Sequence, residues 1–148
     1  MAKVDIGAIC QLIRARQIPA LSVRQPWAHR IIYRGKDIEN RTWETSYRGW
    51  TMIHAGQTMD TDALTDRFAR SGEALRAPLG GIIGIVKVVG VTRDDPSPWF
   101  FGPVGIMLAN PVGIDLVECP GRLGFFKPDP DVCERVIGAL LTKARKAV

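Results

Sequence analysis

Residues 21–55 read LSVRQPWAHRIIYRGKDIENRTWETSYRGWTMIHA, and the rest of the chain is organised around them. This segment contains both histidines, both tyrosines and three of the four tryptophans. An apolar run at residues 20–23 predicts a buried strand. Pro26 is then placed to open a helix that extends to Tyr33 and ends at Gly35. Residues 37–43 and 50–55 predict two further strands, joined by a turn at residues 46–49.

An overlapping segment, residues 14–50, carries the net charge of the chain. Eight basic and three acidic residues lie between Arg14 and Trp50, whereas the other twelve basic and twelve acidic residues cancel. The formal charge of +5 is therefore local, and it predicts an electropositive face that would suit an anionic ligand. In the helix that ends at Gly35, Arg30 and Arg34 are expected to share the exposed side. The eight basic residues are Arg14, Arg16, Arg24, Arg30, Arg34, Lys36, Arg41 and Arg48.

Outside this segment, helices are predicted near both ends of the chain and in its middle. Asp5 can cap a helix over residues 6–16, and a helix over residues 60–69 is followed by Gly72. Asp129 can cap a last helix that Pro130 opens and that extends to about residue 146. Strands are expected at residues 80–92, 105–108 and 112–117, the last two separated by a turn at residues 110–111.

This arrangement predicts an α+β fold. Five or six strands with helices near the start, middle and end favour a small, mixed, partly closed β-barrel with flanking helices. Because strands and helices do not alternate regularly, a doubly wound parallel sheet is disfavoured. We expect a helical extension at residues 1–19, the barrel domain at residues 20–128 and a helix packed on it at residues 129–148.

Composition excludes several classes of protein. At 148 residues with 46% hydrophobic and 24% charged residues, the chain is expected to fold as one globular domain. It has no run of eighteen apolar residues and no apolar leader, so we expect no membrane association and a cytoplasmic location. The three cysteines match neither a disulfide framework nor a zinc site. Two histidines 25 residues apart make no metal site, and no phosphate-binding glycine loop occurs, so no metal and no cofactor are expected.

Several motifs resemble the ASCH-domain family of the PUA-like superfamily. They are LSVRQPWA, GKDIENRTW, YRG and IHA in the central segment, followed by GGIIGIVKVVGV, SPWFFGPVG, LANPV and CPGRLGFF. The resemblance covers about residues 20–127. It implies a β-barrel with surrounding helices, a cleft near the first helix of the barrel and a role in RNA binding or RNA-linked regulation. In some members it also implies amidohydrolase activity on acetylated cytidine nucleosides, and in others ribonuclease activity.

Lys36, Glu39 and Arg41 are the main candidates for a site. Side chains two apart on a strand share a face, so Glu39, Arg41 and Trp43 are expected on the same face. The resemblance implies that this face lines a cleft between the helix and the barrel, and the alternative is a Glu39–Arg41 ion pair on a solvated face. Cations there suit phosphate, a carboxylate suits an amino group of a base, and an indole suits stacking. Lys36, after Gly35, is expected at the mouth of this cleft. By resemblance it matches a catalytic lysine of the amidohydrolase members, but Glu39 occupies the position of their threonine.

The remaining candidates flank this set. Arg24 and Trp27 lie at the start of the predicted helix, where exposed N–H groups favour anions. Tyr47 and Arg48 could stack a base and hold a phosphate, although a structural turn with Arg48 paired to an acid is an equal alternative. His54 is either a core histidine with satisfied hydrogen bonds or an acid–base group.

Three functions are compatible with these residues. The first is RNA or nucleotide binding, with Arg24, Lys36, Arg41 and Arg48 on phosphates or base edges and Trp27, Trp43 or Tyr47 stacking. The second is a ribonuclease or nucleoside amidohydrolase, in which Lys36 and Tyr47 take part and Glu39 or His54 transfers protons. The third is a protein-interaction module that uses the apolar loop from Trp99 to Phe101. Binding that weakens steeply with salt would separate the first from the third.

Overall fold

The computed structural model describes residues 4–60 and 77–147. The helix expected over residues 60–69 lies outside this part of the chain. Three helices are described: α1 (Ile6–Arg14), α2 (Trp27–Tyr33) and α3 (Pro130–Lys146). Asp5 caps α1 by accepting a hydrogen bond from the N–H of Ala8 at 3.0 Å. No helix in the described residues is both long enough and apolar enough to cross a membrane.

Six strands form one mixed sheet that curls into a half-barrel, which confirms the α+β prediction. The strand order is β2-β5-β4-β3-β1-β6, and the β1–β3 pair is parallel whereas the others are antiparallel. The strands are β1 (Ala20–Gln25), β2 (Ile38–Arg41), β3 (Gly49–Met59), β4 (Gly81–Thr92), β5 (Val104–Glu118) and β6 (Phe125–Phe126).

Each face of the sheet carries its own hydrophobic cluster. On one face, α2 packs through Ile31 and Ile32 against residues of β1, β3, β4 and β5. On the other face, α1 and α3 pack together against the sheet, and α1 contributes Ile9, Cys10 and Ile13. Burial of this apolar area on both sides is the main stabilising contribution to a sheet of this kind.

Two details differ from the prediction. Residues 105–117 form one strand, β5, rather than two strands separated by a turn, because Asn110 and Pro111 form a bulge within it. Arg30 is 4% exposed rather than on the exposed side of α2, because its guanidinium lies 4.8 Å from the ring centroid of Trp27. In addition, Trp27 is the first residue of α2 and Pro26 takes the N-cap position.

The sheet is left open between its two ends, and this opening positions the site. β2 is the edge strand at one end and pairs with β5 alone. At the other end, β6 covers β1 at Ala20 and Leu21 only, so the rest of that edge of β1 has no strand beside it. Arg41 of β2 reaches across the opening and donates from Nη2 to the carbonyl oxygen of Ser22 at 2.7 Å.

Candidate functional site

A cleft of about 570 Å³ occupies the opening between β1 and β2. One wall comes from β1 and the start of α2, the other from β2 and the residues after it, and the loop before β6 contributes its end. Glu39 and Arg41 both line the cleft, where the resemblance placed their shared face. The lining residues are Ser22, Val23, Arg24, Trp27, Lys36, Glu39, Asn40, Arg41, Thr42, Trp43, Gly56, Asp60, Phe101, Leu123 and Gly124.

A buried carboxylate with two cations forms the floor. Oε1 of Glu39 accepts from Nζ of Lys36 at 3.1 Å, and Oε2 accepts from Nε of Arg41 at 2.9 Å. Glu39 is 7% exposed, so its charge needs these partners. Since one carboxylate serves two cations, the floor keeps a net positive charge.

Lys36 lies in a different position from the one expected. It is 4% exposed rather than at the mouth of the cleft, and Nζ also donates to the carbonyl oxygen of Ile38. Burial lowers the pKa of Lys36 from its ordinary value of 10.5, and the Glu39 carboxylate only partly opposes this shift. The sequence could not show this burial, because it follows from the way α2 and β2 enclose the residue after Gly35.

Arg41 keeps part of its hydrogen-bonding capacity. Nε and Nη2 are used by Glu39 and by the carbonyl of Ser22. Within the described residues, Nη1 has no hydrogen-bond partner, so its two N–H groups are open to a ligand. The guanidinium also lies 5.6 Å from the ring centroid of Trp43, which places a flat apolar ring next to a donor.

Arg24 and Trp27 form the opposite wall. Arg24 is exposed and, in the part of the chain that the structure describes, has no hydrogen bond or ion pair. Trp27 donates from Nε1 to Oδ2 of Asp60 at 2.8 Å, which fixes its indole against the cleft. A cation without a partner beside a fixed aromatic ring is suited to hold a phosphate near a base.

The rim carries two exposed apolar side chains. Phe101 is 74% exposed and Leu123 is 99% exposed, and both line the cleft. The sequence analysis placed Phe101 in an interaction loop but did not single out Leu123, Asn40 or Asp60. Asn40 and Asp60 could have been considered, because each is a polar residue beside a predicted strand or helix, but no spacing linked them to the cleft.

Three candidate residues lie outside the cleft lining. Tyr47 donates from its hydroxyl to the carbonyl of Trp50, and burial raises its pKa. Arg48 is exposed and donates to the carbonyls of Thr45 and Tyr47 rather than to an acid. These contacts hold the turn before β3.

His54 is 1% exposed and has a partner at each ring nitrogen. Nε2 lies 2.8 Å from the carbonyl oxygen of Cys119, and because a carbonyl only accepts, Nε2 must donate. Nδ1 lies 3.3 Å from Oγ of Ser22. These contacts favour the satisfied core histidine over an acid–base group.

The eight basic residues do not all surround the cleft. Arg14 pairs with Glu134 of α3 at 2.9 Å, and Arg16 donates to the carbonyl of Pro128. Three cations, Arg24, Lys36 and Arg41, line the cleft together with the carboxylates of Glu39 and Asp60. Within the described residues, no group of three or more histidine, cysteine or acidic side chains is placed to hold a metal ion.

This geometry can bind an anion and a planar ring together. Comparison with known proteins agrees with the motifs: the family model described as ASCH domain matches residues 21–106, which is more than half of the chain. The match includes α2 and strands β1 to β4, which carry most of the cleft. No curated protein matches the chain.

Proposed function

The chain belongs to the ASCH-domain family, and we propose that its cleft binds one unpaired nucleotide of an RNA chain. Membership of the family supports RNA binding in general terms. The observation that supports the finer proposal is the exposed Arg24 guanidinium, without a partner among the described residues, on the wall of a cleft that Trp27 and Trp43 also line.

Each wall of the cleft has a separate task in this proposal. Arg24 holds a phosphate, as an exposed cation on a flexible stem can do without losing an existing partner. The Nη1 donors of Arg41 and the carboxylate of Glu39 meet the edge of the base, because a base presents both acceptors and amino donors. The indoles supply the apolar wall. A volume of about 570 Å³ falls in the range of sites that enclose a small organic ligand.

The test compares Arg24→Gln with Arg145→Gln. The second variant makes the same charge change at an exposed residue of α3. The probes are four homopolymeric RNA hexanucleotides (A, C, G and U), with affinity measured by fluorescence anisotropy at several salt concentrations. Arg24→Gln should weaken binding by about 1–2 kcal/mol and reduce the slope of log K against log salt by about one. Arg145→Gln should leave the affinity and the slope close to those of the parent protein.

Two results would contradict the proposal. If the parent protein binds none of the four hexanucleotides at low salt, the cleft does not take RNA. If both variants weaken binding equally, the positive charge acts at long range and Arg24 does not contact a phosphate.

A hydrolase acting in the same cleft is the second candidate, and the lowered pKa of Lys36 favours it. Burial lowers the pKa of Lys36, and a lysine with a lowered pKa gives up its proton more readily than an exposed lysine does. Glu39 is in contact with it, whereas Tyr47 and His54 do not line the cleft. Turnover of RNA or acetylated cytidine by the pure protein, abolished in Lys36→Met, would establish this activity. No turnover by the parent protein would remove it.

A further inference from the structure

Phe101 is a large apolar residue that the fold holds in solvent at the rim of the cleft. Its side chain is 74% exposed, although burial of a phenylalanine normally stabilises a protein. The two residues before it behave differently. Phe100 packs over Gly105, where an added Cβ would lie 2.9 Å from the ring, and the ring of Trp99 faces buried Arg30 at 5.9 Å.

The loop that carries Phe101 is fixed by hydrogen bonds from the cleft itself. Oδ1 of Asn40 accepts from the N–H groups of Phe101 and Gly102 at 2.8 and 3.0 Å, and Nδ2 donates to the carbonyl of Trp99 at 3.0 Å. Gly102 has φ of +75°, a conformation that glycine adopts without strain. The backbone that carries the exposed ring is therefore held by Asn40 of β2, which also lines the cleft.

These contacts separate two possible ligands of the loop. A protein partner would need a continuous apolar surface, but Trp99 and Phe100 are half-buried, so the loop itself exposes only the ring of Phe101. The other exposed apolar residue of the rim is the aliphatic Leu123, in the loop before β6. A single exposed aromatic ring on a held backbone, next to a cationic cleft, suits the stacking of successive bases of a single strand.

We propose that Phe101 is a stacking platform for the base next to the nucleotide held in the cleft, so that the site takes at least two nucleotides. This inference rests on the proposed RNA binding and adds a second subsite to it. Because Asn40 holds the backbone at Phe101, less conformational entropy is lost on stacking than for a residue of a free loop. Because every base has a π-face, this subsite should tolerate any base.

The experiment compares the parent protein, Phe101→Ala and Phe101→Trp on two kinds of probe. These are the four nucleoside 5′-monophosphates and the four homopolymeric RNA hexanucleotides, with affinities measured by calorimetry. Val89→Ala is the control, since Val89 is an exposed apolar residue of β4 that does not line the cleft. Phe101→Ala should weaken hexanucleotide binding roughly fivefold to a hundredfold and weaken mononucleotide binding by a clearly smaller factor.

Phe101→Trp should retain or improve hexanucleotide binding, and Val89→Ala should change neither affinity. Equal weakening of both probes by Phe101→Ala would overturn the inference, because Phe101 would then contact the nucleotide in the cleft. An unchanged hexanucleotide affinity in Phe101→Ala would also overturn the inference. The exposed loop would then be better explained as a contact surface for a protein partner. If the parent protein still binds mononucleotides in either case, the proposed binding of a nucleotide in the cleft stands and only the stacking subsite is lost. If the parent protein binds no mononucleotide, both proposals fail.

Discussion

At the scale of single residues, one carboxylate organises the floor of the cleft. The carboxylate of Glu39 forms ion pairs with both Lys36 and Arg41, and all three residues line the cleft at the opening of the sheet. The lowered pKa of Lys36 indicates that the attraction to Glu39 does not fully compensate the burial of the ammonium group. The three residues therefore contribute unequally to the free energy of unfolding.

We expect Glu39→Gln to lower the free energy of unfolding by about 3–5 kcal/mol, since it leaves the buried Lys36 and the half-buried Arg41 without an anion. Lys36→Met should cost less than about 2 kcal/mol, because Glu39 keeps Arg41 and the methionine fills the space of the lysine stem. Urea unfolding followed by tryptophan fluorescence measures both variants. If Lys36→Met is as unstable as Glu39→Gln, the Lys36–Glu39 ion pair contributes more to the free energy of unfolding than the Arg41–Glu39 ion pair.

Strand alternation predicted that Glu39 and Arg41 share a face, and the resemblance to the family placed that face at a cleft. It could not predict that Lys36 is buried, because burial depends on which element covers the residue in space. Arg30 illustrates the same limit: helical spacing placed it outside, but the indole of Trp27 covers it in the fold. Trp27 and Arg30 are three residues apart in α2, so helical spacing brings them together, but it does not show that the pair is buried in the fold.

At the scale of elements, β5 contains a turn-like Asn-Pro sequence that forms a bulge inside a continuous strand rather than a turn. Ala109 pairs with Lys87 and Val112 pairs with Ile85, so Asn110 and Pro111 together face the single residue Val86. Asn110 adopts φ of +57°, and Pro111 lacks the N–H that a regular ladder would require. The local chemistry is that of a turn, but pairing with β4 on both sides continues the strand.

This bulge gives a prediction for Asn110, which is exposed. Asn110→Val should lower the free energy of unfolding by about 1–2 kcal/mol, because a β-branched residue is disfavoured at positive φ. Asn110→Gly is the matched control and should stay within about 0.5 kcal/mol of the parent protein, since glycine adopts this conformation readily. Chemical denaturation measures both. Equal stability of the two variants would mean that the backbone at residue 110 relaxes to negative φ.

The short strand β6 was not predicted, and the reason is physical. Two residues, Phe125 and Phe126, are too few to show a period, and they pair with Leu21 and Ala20 only after the sheet has curled. Yet β6 bears on where the cleft begins, because among the described strands it pairs with that edge of β1 at Ala20 and Leu21 alone, and Ser22 already lines the cleft. The sequence motifs indicated which segments line the cleft. The end of the cleft is set by the pairing of β6 with β1, which the motifs do not show.

At the scale of the whole molecule, the helices outside the family match share a core with the sheet. α1 and α3 lie beyond residues 21–106, but Ile9, Cys10 and Ile13 of α1 belong to one cluster with Val136 and Leu140 of α3 and with residues of the sheet. The expected division into an extension at 1–19, a barrel at 20–128 and a helix at 129–148 thus describes sequence segments that bury a common surface. The capping residues Asp5 and Asp129 predicted both helices, but not that they pack on each other.

The last prediction measures how strongly α1 is tied to the rest of the fold. Ile13 is fully buried, whereas its neighbour Leu12 is 39% exposed on the same helix. Ile13→Ala should lower the free energy of unfolding by about 2–5 kcal/mol, and Leu12→Ala by less than about 1 kcal/mol. Denaturation of both variants in a single cooperative transition would show that α1 unfolds together with the sheet. If Ile13→Ala instead shows a separate, earlier transition, α1 is an independent extension. A helix can unfold before the sheet only when the stability of the sheet does not depend on that helix.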